Sequence, residues 1–352
     1  MGKLWLNNEM VDRLAMLQQT EAEHPGISQI AIEKDWWVTV TLKALFQTDC
    51  RDSLIFKGGT SLSKGFNIIE RFSEDIDLAI SHSFFGIENT SKSQREKLRK
   101  MARAYIHDTL SSQFNTHLKE MGVSGYSIEN VSQIQDKNGE WQPIDSDKDP
   151  TVILLHYPSI IEDTINYIPP RVKIEISCLS MDEPTETRHI SSFIGDSFES
   201  EDSDAESFVK TVVPTRTFLE KLFLLAEEFQ KEKLPAVNLS GIYEKPRSIR
   251  MSRHLYDLEK LMDTEYGKEA LSNRKLYDAI IEHRKTYYAL KYINYDLHAP
   301  STINFMIPES AIEAWQDDYA NMRRFFIYGK SLAFDALMQK MGGCKLNCVS
   351  KE

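Results

Sequence analysis

Cysteine, basic excess and long apolar runs are what this sequence has little of. It holds four cysteines in 352 residues, Cys50, Cys178, Cys344 and Cys348. Scattered in this way they build no disulfide framework, and a reducing cytosol fits. The C-K-L-N-C spacing at the end lacks a second ligand pair, so a helical coincidence or a loose tail reads better than zinc. No apolar run approaches the ~20 residues that a membrane-spanning helix needs. The opening "MGKLWLNNEMVDRLAML" has no apolar signal core and carries acids early, so neither a signal peptide nor a membrane anchor is expected. A net charge of −11 excludes a surface coated in basic residues but allows a local basic cleft. Internal repeats and low-complexity tracts are absent as well.

What is present divides the chain. Its length calls for two domains or one elaborated domain. Residues 8–50 read as two helices, with Ile32, Trp36, Val40 and Leu42 at helical spacing. Residues 54–80 read as strand, glycine turn, helix and strand, and 91–121 as a long amphipathic helix. "YSIENVSQIQ", "TVILLHYPSI" and "RVKIEISCLS" are strand-like, with a D-K-N-G turn signal at 136–139. The stretch 195–208 puts six acids between residues 196 and 206 and reads as a solvated boundary loop. Beyond it the patterns are helical. The expectation is an α+β protein: a helical N-terminal segment (1–50), a core with a mixed sheet (51–195) and a helical C-terminal domain (196–352).

The chemistry concentrates in "KGGTSLSKGFNIIERFSEDIDLAI", Lys57 to Ile80. In D-I-D-L-A-I the period of two puts Ile76, Leu78 and Ile80 on one strand face and Asp75 with Asp77 on the other. Two neighbouring carboxylates repel and raise one another's pKa, and aspartate is disfavoured in strands. A divalent metal relieves both problems; a strand end facing water is the plain alternative. Gly58 and Gly59 let the backbone turn sharply and approach a ligand closely. An ordinary tight turn would use them equally well. Thr60 and Ser61 are good caps for the next helix, whose N–H groups suit a phosphate, and Lys64 lies one turn inside it. No Walker A motif is present. Together, a phosphate turn and a metal strand describe a nucleoside triphosphate site.

A third acid is then expected on a neighbouring strand. "RVKIEISCLS" offers Glu175, opposite a buried face of Val172, Ile174 and Ile176. Further on, Thr217 and Glu220 match a T-x-x-E capping box, which would put Lys221 in a first helical turn against the macrodipole. Such a lysine serves a ligand anion or is simply solvated. Arg250, Arg253, His254 and Asp257 share a helix face by spacing, either lining a cleft or forming an internal Arg–Asp pair. Residues 245–260 carry five Lys or Arg against two acids, and "NRKLYDAIIEHRKTYYALKY" mixes bases with aromatics in a way that suits single-stranded RNA. In "EKDWW" the tryptophans read as core, with Asp35 on the helix surface and without a catalytic role.

G-[GS], a short helix, D-x-[DE] and a lone acid on a later strand resemble the DNA polymerase β-like nucleotidyltransferases. More narrowly, "IEKDWWVTVTLKALF", "FKGGTSLSKGF", "RFSEDIDLAI", "PTRTFLEKLFLL" and "RHLYDLEKL" resemble the AbiEii/AbiGii toxins of abortive-infection (type IV) toxin–antitoxin pairs, over most of the chain. The resemblance implies a polymerase β-like core and Mg²⁺ or Mn²⁺ on Asp75, Asp77 and Glu175. It implies an NTP on Gly58, Gly59, Thr60, Ser61, Lys64, Lys221 and Arg253, with Asp75, Asp77, Glu175, Lys64, Lys221 and Asp257 as catalytic residues. Where relatives often have an acid, this chain has His254. The implied activity is transfer of a nucleoside monophosphate to an acceptor hydroxyl, the 3′ end of tRNA, inhibiting growth or phage propagation. A separately encoded antitoxin, often winged-helix, and a cytoplasmic location without membrane contact are implied too. Nucleotidylation of a protein hydroxyl, a non-catalytic nucleotide-binding module and a carboxylate-metal nuclease are the rival readings.

Overall fold

The computed structural model of the chain describes residues 3–87, 91–136, 138–162, 168–182, 184–203, 205–233 and 246–343. Cys344, Cys348 and Lys245 lie outside them, whereas Cys50 and Cys178 are buried free thiols. Two compact units form: Met1–Phe66 with Phe72–Val212, and Asn67–Arg71 with Val213–Glu352.

The first unit is built on strands β1 (Leu54–Lys57), β2 (Asp75–Ile80), β3 (Ser127–Asn130), β4 (Gln133–Gln135), β5 (Trp141–Pro143), β6 (Thr151–His156), β7 (Arg171–Ser177), β8 (Thr185–Ile190) and β9 (Ser207–Val212). Seven of them make a mixed sheet in the order β3-β6-β7-β2-β1-β9-β8, and β4 with β5 forms a separate hairpin. The expected α+β class with a mixed sheet is therefore present. The D-K-N-G signal closes the β4–β5 hairpin, where Asp136 Oδ1 accepts from the backbone N–H of Asn138 and Glu140.

Helices α1 (Met10–Glu23) and α2 (Gln29–Leu45) precede the sheet. Ser28 caps α2 by accepting from Ala31 N–H, and α2 packs against β2, β7 and β9. Trp36, Val40 and Leu42 are fully buried there, and so nearly are Glu33, Lys34 and Asp35. Charges taken out of water need partners, and these three supply the architecture of the site described below. After β1 comes α3 (Gly58–Thr60), which runs on as a π-helical turn, Ser61–Gly65. The helix expected over 91–121 is α4 (Lys92–Tyr105) and α5 (Ser111–Glu120), joined through a π-helical turn at Ile106–Leu110.

The acid-rich stretch is not a plain solvated loop. It holds α6 (Phe193–Ser197) and α7 (Glu199–Asp202) inside the first unit. Asp202 is fully buried and accepts from Trp5 N–H, Trp36 Nε1 and the Ser192 hydroxyl. Three donors on one carboxylate explain why an acid sits in the core.

The second unit contains α8 (Pro214–Gln230), α9 (Arg253–Met262), α10 (Glu265–Ser272), α11 (Arg274–His283), α12 (Ile312–Phe325) and α13 (Phe334–Gly342). The segment Asn67–Arg71 belongs with it: Tyr328 and Gly329 N–H donate to the Glu70 carbonyl at 3.0 and 3.1 Å. The capping box at Thr217 does not form. Proline, pre-set for a first turn, starts α8 at Pro214, so Thr217 lies within the helix, its hydroxyl buried without a partner. Lys221 is consequently mid-helix, and the macrodipole argument for it fails. Likewise α9 begins at Arg253, and Arg250 stands outside it with φ of 59°. In the basic–aromatic stretch after 273, Tyr277 is buried and donates to the His298 carbonyl, and Arg284 is buried and paired with Glu227, while Arg274, Lys275, Lys285 and Lys291 are exposed.

Candidate active site

The pairing of β2 with its two neighbours brings the acids together. β2 runs parallel to β7, with Asp75 opposite Lys173 and Asp77 opposite Glu175, and antiparallel to β1, with Asp77 opposite Lys57. Register partners share a sheet face. The buried alternation of Ile76 and Leu78 with Val172, Ile174 and Ile176 puts all five charged residues on the other face, each half-buried. Sequence periodicity anticipated Asp75, Asp77 and Glu175 here. It put Lys173 on the face of Glu175 as well, without a role, and did not anticipate Lys57.

The glycine turn abuts that face. Gly58 has φ of 82°, and a Cβ built on it would stand 2.2 Å from Asp77 Oδ2 and 2.9 Å from its Cγ. Only glycine can hold this backbone conformation and let the carboxylate lie against it. Thr60 and Ser61 are not caps, because the helical turn already begins at Gly58. Instead the Thr60 hydroxyl donates to the Asp75 carbonyl at 2.5 Å, clamping the turn to the start of β2, and Ser61 donates to the Gly58 carbonyl at 2.9 Å.

The buried charges of α2 hold the segments that lead into this face. Glu33 accepts from the Ser159 hydroxyl at 2.5 Å and from Ile160 N–H at 2.9 Å. Burial pushes its carboxyl pKa up. Lys34 Nζ lies 2.6 Å from Glu74 Oε2 and donates to the Pro169 carbonyl at 3.2 Å, tying the residues before β2 to those before β7. Burial lowers the Lys34 pKa against the opposing pull of Glu74 and Asp75. Asp35 Oδ1 is 2.5 Å from Lys64 Nζ, and its Oδ2 accepts from Phe193 N–H at 3.0 Å. Asp35 is thus a buried ion-pair partner, not a helix-surface residue, and Lys64 spends its charge on it.

Lys221, Asp257 and Arg253 belong to the second unit, where the first two form a buried cluster of their own. Arg71, which sequence reading passed over, grips Asp257 with Nε on Oδ1 and Nη2 on Oδ2, both at 2.7 Å. Lys221 Nζ is 2.9 Å from the same carboxylate. Burial alone would raise the Asp257 pKa, but Arg71 and Lys221 overcome it and hold the group well below the usual carboxylate range. An Arg–Asp ion pair is present, but its arginine is Arg71, which lies outside the 250–257 face that the alternative reading drew on. Burial, then Lys221 and Arg253, push the His254 imidazole far below its ordinary pKa, and its Nδ1 has no hydrogen-bond partner. It stands as a neutral core histidine.

A divalent metal is tested by the donor set. Asp75 and Asp77 present two hard oxygen donors beside a cradle that a Cβ at residue 58 would fill. This suits Mg²⁺, which is commonly held by one or two carboxylates plus substrate phosphates. Among the described residues no three His, Cys, Asp or Glu side chains converge as a metal site. Glu175 Oε1 is 2.5 Å from Lys173 Nζ, so its carboxylate is engaged by a lysine of its own strand.

Comparison with known proteins adds three findings. No curated protein matches the chain. Among solved structures it aligns with MenT4, a nucleotidyltransferase toxin of Mycobacterium tuberculosis H37Rv, at 14% identity and a TM-score of 0.41, over 94% of this chain and 98% of that one. Residues 41–340 match the family model of the nucleotidyl transferase AbiEii toxin of type IV toxin–antitoxin systems, so the chain belongs to that family of nucleotidyltransferase toxins.

Proposed function

We propose that this nucleotidyltransferase moves a nucleoside monophosphate from an NTP to the 3′-terminal hydroxyl of tRNA, and that its toxicity follows from blocking the acceptor end. The observation that carries the reading is the contact between Gly58 and Asp77: the turn suited to phosphates and the strand bearing the acids meet at van der Waals distance. In this reading Gly58 and Gly59 admit the triphosphate to the backbone, with Thr60 and Ser61 holding the turn in shape. Asp75 and Asp77 would hold Mg²⁺, or Mn²⁺ in its place, with Glu175 on the attacking side. The bound ion supplies neutralisation of the phosphate oxygens and activation of the attacking hydroxyl.

The acceptor oxygen bonds to the α-phosphorus in line, the bond from that phosphorus to the bridging oxygen breaks, and pyrophosphate leaves with the electron pair. Glu175 is suited to take the acceptor proton once its carboxylate is clear of Lys173. Lys64 would act on the phosphates only by leaving Asp35, so positioning of the turn is the role that its buried pair favours. For Lys221 and Asp257 the mutual neutralisation of their cluster with Arg71 favours a scaffold role within the second unit. A cognate antitoxin, of winged-helix type, and a cytoplasmic location complete the proposal. No helix among the described residues is long and apolar enough to cross a membrane.

The test is incubation with each α-labelled NTP and Mg²⁺, offering purified tRNA or cell-lysate protein as acceptor. One-nucleotide extension of tRNA, lost in Asp75→Ala, is expected. Label in protein and never in RNA would replace the acceptor, shortened RNA would indicate a nuclease, and no incorporation with any NTP would refute transfer.

A further inference from the structure

We infer that Lys173 is a further functional residue of this site: it is the counter-ion of Glu175 while the acidic face is without a divalent cation, and it binds the phosphates of the nucleotide once Glu175 is taken. The inference rests on the proposed nucleotidyl transfer and deepens it by assigning a cation that couples the two ligands.

Three carboxylates, Asp75, Asp77 and Glu175, share one sheet face with two lysines, Lys57 and Lys173. Lys173 is the register neighbour of Asp75, and its ammonium sits 2.5 Å from Glu175 two residues along the same strand. An ammonium is a compact point charge on a flexible stem. At this place it does for the acids what a divalent cation would do, relieving the repulsion that adjacent carboxylates suffer. The Lys173 and Glu175 side chains are 40% and 29% exposed. This pair is consequently reachable by solutes and, being partly solvated, cheap to break. The buried pairs behind the sheet, Lys34 with Glu74 and Lys64 with Asp35, have neither property, their side chains being at most 10% exposed. The Lys173–Glu175 pair thus combines a place on the acidic face with access.

A divalent cation that recruits Glu175 must displace the ammonium, and the displaced ammonium then stands beside the cradle with a free charge. A triphosphate brought to Gly58 and Gly59 supplies the anion for it. Cation binding without nucleotide is therefore opposed by Lys173, and nucleotide binding with the cation present is assisted by it. One substitution should move the two affinities in opposite directions. A lysine that merely braced the strand could not do that.

The experiment compares wild type, Lys173→Met and Lys173→Arg, each checked by circular dichroism and thermal melt. Mn²⁺ binding is read by electron paramagnetic resonance without nucleotide. Binding of a non-reacting α,β-methylene NTP analogue is read by calorimetry with Mn²⁺ present. In Lys173→Met, Mn²⁺ is expected to bind about two- to five-fold tighter, the range set by a partly exposed ion pair. The analogue is expected to bind about ten-fold or more weakly, as for loss of a charge-assisted hydrogen bond. Lys173→Arg should keep both affinities near wild type. Unchanged Mn²⁺ affinity in Lys173→Met, or both affinities shifting the same way, would overturn the inference and leave the transferase reading standing. Wild type binding neither Mn²⁺ nor the analogue would overturn both.

Discussion

Gly58→Ala is the most demanding test of the site's geometry. The new Cβ would meet Asp77 at 2.2 Å from Oδ2, 2.9 Å from Cγ and 3.0 Å from Cβ, so no rotation of the carboxylate alone relieves the contact. The φ of 82° adds backbone strain of about 1–2 kcal/mol for a residue with a side chain. Either the turn opens or Asp77 moves by about an ångström, and a misplacement of that size costs on the order of 10²-fold in rate. Gly65→Ala is the matched control in the same segment. Its Cβ would make ordinary contacts of 3.6 Å with Thr211 and 3.7 Å with Arg188. The assay is α-labelled NTP incorporation into tRNA, with melting curves for all three proteins. Gly58→Ala should lose about 10²-fold of turnover with a melting loss explained by strain alone, and Gly65→Ala should stay close to wild type. Gly58→Ala within two-fold of wild type would refute the abutment of the turn and the acid-bearing strand as the basis of catalysis.

Other consequences are as direct. Asp35→Asn leaves the Lys64 ammonium buried without its counter-charge and should cost about 3–5 kcal/mol, most of which Lys64→Met in the same chain should restore; additive single and double variants in urea would refute the pair. Stability should also follow pH with two opposite slopes. Burial raises the Asp202 carboxyl to about 6, so its contribution is complete below the unfolded value and is lost as pH rises through 6. The loss is about 3 kcal/mol, and Asp202→Asn should abolish it. Asp257 is depressed by Arg71 and Lys221 against burial, so its contribution is present above about pH 4 and is lost as pH falls further. Asp257→Asn should remove that acid limb and cost about 3–5 kcal/mol at neutral pH, since two buried cations lose their partner. Denaturant titrations from pH 3 to 8 read both slopes, and a single monotonic profile would refute them.

How far the sequence carried depended on the range of the interaction. Alternation in "DIDLAI" and "RVKIEIS" is local, and it placed Asp75 with Asp77, and Glu175, opposite the apolar face of their own strands; the β2–β7 register then puts them on one sheet face. β8 and β9 escaped because "TETRHI" and "SFVKTV" have polar residues on both faces and flank an acidic stretch. β8 is an edge strand, with no second neighbour to demand apolar side chains. The charge partnerships escaped for a different reason. Lys64 reaches Asp35 across 29 positions, Lys34 reaches Glu74 across 40, and Arg71 reaches Asp257 across 186. No spacing rule connects such pairs. The signal that was available lay in "IEKDWWV": three successive charges between apolar residues of a buried helix are tolerated only if all three find partners.

That helix raises the question of why α2 buries charge at all. Replacing a buried ion pair by apolar residues of similar size is often neutral or stabilising by about 1–4 kcal/mol. Stability therefore does not explain Glu33, Lys34 and Asp35. Direction does, because successive residues on a helix point about 100° apart, and these three reach the 159–160 segment, the residues before β2 and β7, and the end of the glycine turn. An apolar trio would fill the same volume without choosing among these segments. If the charges serve position, Lys34→Met combined with Glu74→Leu should keep the melting temperature or raise it while lowering nucleotidyl transfer. Asp75 would then begin a strand no longer tied, through Lys34 and the Pro169 carbonyl, to the strand carrying Glu175. Undiminished transfer in a protein of equal or greater stability would show that the sheet's own hydrogen bonds suffice to set the register of the acids.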